Sequence, residues 1–565
     1  MRISRASAVL GFVSVLVAAC AFAQPATGIY PYGAFDNRGF DTIDLGNLNV
    51  HFSIPVVNKA GRVTPFYYNL VYDSLVWYPL TSGSTTTWKP VTGWGWHGDT
   101  EVAFGYMTFA TIGTTNSHFV YHDSLGVSHS FPGVTTTPTS PTASGSSIDG
   151  SGLTLSVTGQ TDCAISTPTG ASIAVPNTNN GPATYTDPNG NQISVNSSGQ
   201  FTDTLGTVAL TISGTNPQTY TYTNPSGGTS AIKMYYAVYT VATDFGDPNI
   251  SEYPRTAVDL VTSVNLPNGV DYKFTYEQLP TSECTPLGGT NGTNCLTGRI
   301  ASVLLSTGGT ITYSYVGGYK GILSDGSTAG LTRNDGKNWS YGKTMISSQN
   351  PGPGVISETT KTDPSGNKTV YTFSQDDGGT NNLYPTEIQY NQGSSTLLST
   401  VIQCFNAYNP GGYDNCGGEV VTTPIFQIDT YTQFPSGMTR LSELLYDDYK
   451  GVTYGNVTTD REFDYGVTLN QAPIITSGPP LIRETDMTYN YPTGQNGVFS
   501  ELATSTTNDW SSGTEKEIAY TSYQYDTKTL ATPPGNTPLQ WISVSTTRGN
   551  LTQVSYSTGS TTLNA

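Results

Sequence analysis

The chain has 565 residues, with Lys+Arg 23 against Asp+Glu 41 and a net charge of −18. Charged residues make up only 11%, against roughly 25% in ordinary globular domains; the polarity comes from Ser, Thr, Asn and Gln, alongside 62 Gly, 34 Pro and 37 Tyr. That mix favours strands and turns, so it excludes a helical bundle, a multi-span membrane protein and a basic nucleic-acid-binding module. In chain order, residues 1–23 read as a secretory signal peptide. Arg2 and Arg5 supply the positive start, Ala6 to Ala19 the apolar run, and Ala21-Phe22-Ala23 the small-residue cleavage site. An alternative reading takes Val17-Ala18-Ala19-Cys20 as a lipobox. Membrane contact would then arise only through a lipid anchor at Cys20, as in an outer-membrane lipoprotein.

Residues 24–132 read as an aromatic-rich N-terminal β domain. Strand candidates are His51–Val57, Pro65–Tyr72 and Leu75–Tyr78. Trp77, Trp88, Trp94 and Trp96 crowd the segment that follows. Two uses suit them: a packed core organiser, or a platform for a sugar ligand. Residues 133–180 shift to Thr, Ser, Gly and Pro, as a linker or loosely packed strands. From 181 to 565 strand–turn–strand units recur, and no long amphipathic helix is expected.

The turn units share one chemistry. Asp123-Ser124-Leu125-Gly126, Asp187-Pro188-Asn189-Gly190, Asn224-Pro225-Ser226-Gly227 and Asp363-Pro364-Ser365-Gly366 each follow a strand with an aromatic or β-branched end. Asp or Asn accepts a hydrogen bond from the backbone two residues on, Pro fixes φ, and Gly leaves the turn at no steric cost. A related unit places Tyr446-Asp447 before Gly455-Asn456, and Tyr525-Asp526 before Gly549-Asn550. The pattern is a diverged internal repeat. Cys284 with Cys295, and Cys404 with Cys416, bracket short polar loops suited to disulfides in an exported chain. Cys163 has no obvious mate and reads as a free, buried thiol.

Chemistry is harder to find. His118 and His122 share an even spacing, but neither HExxH nor HxH occurs, so no metal site is assigned. Asp376-Asp377 and Asp447-Asp448 lack a calcium-loop pattern and read as solvated loops. No nucleophile elbow, phosphate loop or dinucleotide fingerprint is present. No catalytic residue and no cofactor is therefore assigned.

The Tyr446-Asp447/Gly455-Asn456 and Tyr525-Asp526/Gly549-Asn550 units resemble those of bacterial RHS/YD-repeat proteins. The segment Gly39-Phe40-Asp41-Thr42 through Asn69-Leu70-Val71-Tyr72 is similar to the N-terminal region of exported members of that family. The resemblance implies a YD-repeat β-sheet spiralling into a shell, or part of one, that encloses a cargo. Asp187–Gly190 and Asp363–Gly366 superficially fit the family's DPxG core motif, but both read as turns. The array ends without the core motif or variable tip of toxin-carrying members, as the front of a longer protein, a truncated product or a partial shell would. The expectation is a non-enzymatic, secreted or cell-surface protein acting as a structural shell or contact surface. Its partners would be a surface carbohydrate, another protein chain or an enclosed cargo, and no nucleic acid. Two alternatives stand beside it: the shell segment of a toxin-delivery protein without its toxin, and a carbohydrate-binding or carbohydrate-active β protein.

Overall fold

The computed structural model describes residues 27–100, 105–177, 181–346, 354–376, 382–406, 416, 421–467, 481–492, 497–529, 538–544, 547–558 and 561–564. The leader, Cys20 and Asp377 lie outside them. The described residues form strands and two short 3-10 turns, with no α-helix. The all-β expectation therefore holds.

One sheet dominates. It contains 28 strands, from Ala143–Ser146 to Thr561–Asn564, each beside its neighbour in sequence and antiparallel to it. Only Ile250–Ser251 leaves the series. It pairs in parallel with Thr85–Pro90, in a small sheet that also holds Trp77–Ser82. The stretch 133–180 carries the sheet's first strands, Ala143–Ser146, Thr154–Thr158, Asp162–Ser166 and Ser172–Val175. Its small polar residues lower burial without preventing the backbone ladder.

The N-terminal strands form two further sheets. Phe35–Asn37, Asp41–Asp44, Val50–Lys59, Phe66–Asp73 and Trp96–Asp99 make one, in that order. Tyr106–Ile112, Thr115–His122 and Ser128–Phe131 make the other. Alternation decides the buried face: Val50, Phe52, Ile54 and Val56 are buried on one strand, and Ile311, Tyr313 and Tyr315 on another. These two sets belong to a single hydrophobic cluster running from Ile43 to Leu383. The five-stranded N-terminal sheet is thus the packing partner of the large sheet.

Buried polar links pin the two together. Arg333 donates from Nε and Nη2 to Asp41 Oδ2 and Oδ1 at 2.7 and 2.6 Å, and Tyr313 donates to Asp41 at 2.9 Å. Tyr341 and Lys361 both reach Asp36, at 2.7 and 3.0 Å. The Ile300 amide donates to the Tyr72 hydroxyl at 2.9 Å, and from the small sheet the indole of Trp77 donates to the Thr297 carbonyl at 2.7 Å.

A flat sheet of 28 strands is not a stable form, because strand twist accumulates. Here the early hairpin turns meet late segments. The Phe499 amide donates to the Pro168 carbonyl at 2.7 Å. Asn191 bridges Trp541, and the Ile542 amide donates to the Gly190 carbonyl at 2.9 Å. Gly190 has φ +83° and a Cβ there would sit 2.0 Å from the Ile542 carbonyl oxygen, so only glycine fits this contact.

Candidate functional site

The repeat residues come first, because their geometry is the most regular. In the short turn, the Asp187 amide donates to the Asn191 carbonyl at 2.9 Å. Asp187 Oδ1 accepts from the Asn191 amide and Oδ2 from Asn191 Nδ2, both at 2.8 Å. Asp363 makes the same three bonds to Asn367. So does Asp447 to Asn456, at 2.9, 3.1 and 3.0 Å, although seven residues separate Asp447 from Gly455 where the short turn has two. Asp526 repeats the two backbone bonds with Asn550, at 2.9 and 3.3 Å. There the Asn550 amide instead donates to Asn189 at 2.8 Å, joining the last clasp to an early turn. The preceding Gly is at positive φ in all four: Gly190, Gly366, Gly455 and Gly549. The Tyr-Asp/Gly-Asn motif is therefore the Asp-x-x-Gly-Asn turn with a loop inserted in it. Tyr446 packs on Tyr32 at 5.6 Å, and Tyr525 donates to the Leu502 carbonyl at 3.0 Å.

The tryptophans are mainly core. Trp77 and Trp88 are fully buried and Trp96 nearly so. Trp88 meets Phe245 edge-on at 5.2 Å, and Trp96 meets Phe274 at 4.9 Å. A sugar platform needs an exposed ring face, and Trp77 and Trp88 have none. Trp94 differs: it is half-buried and sits at φ +56° between Gly93 and Gly95, themselves at positive φ.

Cys284 bonds Cys295, and Cys404 bonds Cys416. Cys163 is free and buried, and burial pushes its thiol up to about 12. It is not a reactive thiolate at neutral pH.

The histidines gather around buried carboxylates. Asp73 faces His51 Nδ1 at 3.0 Å and His97 Nε2 at 2.8 Å, and accepts from Asn49 Nδ2 at 2.6 Å. Burial alone would raise the Asp73 carboxyl, but the two imidazoles outweigh it and hold it below the usual range. His129 Nδ1 lies 2.5 Å from Asp149, with Asp123 at 3.4 Å from Nε2. Burial opposes its charge, yet the carboxylates push it up to about 10. Asp149, disfavoured by burial, is drawn down to about 2 by His129. Burial pushes His122 down to about 4, against the pull of Asp123.

A carboxylate orienting an imidazole is half of a nucleophilic triad. Asp73, His97, Tyr106, His122 and Ser124 share a small cavity of about 70 Å³. Ser124 donates to Asp99 at 3.0 Å, not to an imidazole. Among the described residues lining the cavity, Ser124 is therefore not paired with a histidine base. Among the described residues no group of three or more His, Cys, Asp or Glu is placed to hold a metal ion.

Sequence reading missed the ions that link the N-terminal sheet to the large one: Asp36, Asp41, Arg333 and Lys361. A signal exists in hindsight. Arg333 stands two residues from Leu331 on an alternating strand, at an inward position in a chain with few cations. An inward arginine needs a carboxylate across the core. No protein-family model matches this chain, and no curated protein matches it.

Proposed function

We propose that this chain is a non-enzymatic, exported casing of the RHS/YD-repeat kind, acting as a structural shell or contact surface. The observation that carries the reading is the single 28-stranded sheet whose early turns meet its late segments. Such a sheet is a wall, and its repeated Asp/Asn clasps hold corners of that wall in place. The clasp carboxylates are occupied by the protein's own amides, as structural groups are. The local disulfides suit a chain that leaves the reducing cytoplasm. The low cation count leaves little basis for binding nucleic acid.

The test is location and accessibility. The full chain, expressed with its own leader in a bacterium, is followed by fractionation and by protease treatment of intact cells. The casing reading expects it outside the cytoplasmic membrane and cleaved on intact cells or released to the medium. Retention of the mature-length chain in the cytoplasm would contradict it. A panel of hydrolase substrates adds a second arm, in which turnover abolished by Asp73→Asn would replace the casing with an enzyme.

A further inference from the structure

A cavity of about 470 Å³ opens between the five-stranded N-terminal sheet and the large sheet. Its size falls in the range of small-molecule sites, roughly 300–1,000 Å³. Six aromatic side chains line it: Tyr68, Trp94, Trp96, Phe201, Tyr220 and Tyr236. Neutral polar groups interrupt them. Gln218 lies inside, and Asn196, Ser197 and Ser198 stand exposed at the mouth. Among the described residues lining it, Asp259 is the one carboxylate and His97 the one imidazole, with neither Lys nor Arg.

That lining selects by chemistry. Without a lysine or arginine, and with the His97 Nε2 already held by Asp73 at 2.8 Å, it offers no free cationic side chain to a phosphate, sulfate or carboxylate. Flat rings offer apolar faces, while amides and hydroxyls offer hydrogen bonds without charge. Tyr220 donates to Gln218 Oε1 at 2.8 Å, and the Tyr236 hydroxyl lies within reach of both Gln218 Oε1 at 3.2 Å and Met234 Sδ at 3.0 Å. Both hydroxyl protons thus have acceptors within the protein, and their oxygens keep the capacity to accept. A ligand that pairs C–H faces with several hydroxyls fits both kinds of wall. Trp94 supplies an independent sign. A bulky residue at φ +56° is strained and persists where its surroundings hold it, commonly at ligand clamps. Its ring is fixed edge-on against Trp77 at 5.5 Å, and the residue stands on the cavity wall.

We propose that this cavity binds a neutral hexopyranose unit, alone or as the end of a short glycan. The pyranose C–H face packs on the aromatic wall, and its hydroxyls bond Gln218, the two tyrosines and the serines at the mouth. This site leaves out Trp77 and Trp88, whose rings are core, and it is independent of the casing reading.

The experiment is titration calorimetry of the full chain with D-glucose, D-galactose, D-mannose, N-acetyl-D-glucosamine, maltose and cellobiose. Tetraethylammonium and inorganic phosphate serve as competing chemistries. Saturable binding of at least one sugar is expected, with phosphate silent. Ser198→Trp, at an exposed position of the mouth, should weaken it by at least about tenfold while leaving the thermal midpoint unchanged. Tyr236→Phe should weaken it less, by removing one hydroxyl and keeping the ring. Absence of saturable binding across the sugars would overturn the proposal. So would binding that Ser198→Trp leaves intact, or tetraethylammonium binding in place of every sugar.

Discussion

Two stretches of the same sheet are built very differently. Between Ala183 and Leu383 its strands alternate, as in Thr310–Tyr315, where every second side chain is buried. In Lys516–Tyr525 no side chain is buried and the alternation is gone. Among the described residues, no apolar side chain after Phe499 is buried. The difference lies in what faces each stretch. The first has the N-terminal strands against it. The second is held by its backbone ladder and by polar contacts, such as Asn508 Nδ2 donating to Glu515 Oε1 at 2.9 Å. A single sheet can therefore be continuous in hydrogen bonding and discontinuous in core.

That contrast can be broken from either side. Arg333→Ala should have the largest effect, because it strands Asp41 without its partner inside the core. A loss of about 3–5 kcal/mol is expected, read by denaturant unfolding. Arg461→Ala, beside the smaller cluster of Tyr431, Leu441 and Phe463, acts on a partly exposed group and should cost about 1–3 kcal/mol. Equal losses would mean that the facing N-terminal strands add nothing to the cost of breaking an ion pair. Asn456→Ala should cost about 1–2 kcal/mol. Its effect should appear as faster amide exchange in residues 446–457 and around Phe499, whose carbonyl accepts from Asn456 Nδ2 at 2.8 Å.

The smallest effect is electrostatic and concerns the His129–Asp149 pair. His129 titrates at about 10 in the folded chain, above the roughly 6.5 expected when unfolded. Its contribution is complete below about 6.5 and fades as pH rises towards 10. Asp149 titrates at about 2 when folded, below the roughly 3.9 of an unfolded chain, so its contribution fades as pH falls from about 3.9 to 2. The pair should stabilise most between about pH 4 and 6.5. Thermal unfolding of the native protein and His129→Gln across pH should differ most in that window. A constant difference from pH 4 to 10 would rule the pair out as the cause.

What was legible in the residues follows range. The turns at Asp123, Asp187, Asn224 and Asp363 were readable because each closes within four residues through its own side chain. The two cysteine pairs were readable for the same reason. The equivalence of Asp447/Asn456 and Asp526/Asn550 to those turns was hidden, because inserted loops separate the bonding groups. The role of the tryptophans was undecided in the sequence, since aromatic density is the same for a core and a platform. Trp77 and Trp88 were settled only by Phe245 and Thr297, far along the chain. The aromatic cavity was illegible too, because strands about a hundred residues apart build its two walls.

The central claim is that the N-terminal strands are the core of the first stretch, not a separate unit. Amide hydrogen exchange on the native chain and on Arg333→Ala tests it most directly. The account predicts that protection falls together in Asp41–Asp44, Val50–Lys59, Phe66–Asp73 and the strands from Thr256 to Met345, while Leu502–Thr558 keeps its native rates. Loss confined to the N-terminal strands, with Thr256–Met345 still protected, would contradict it.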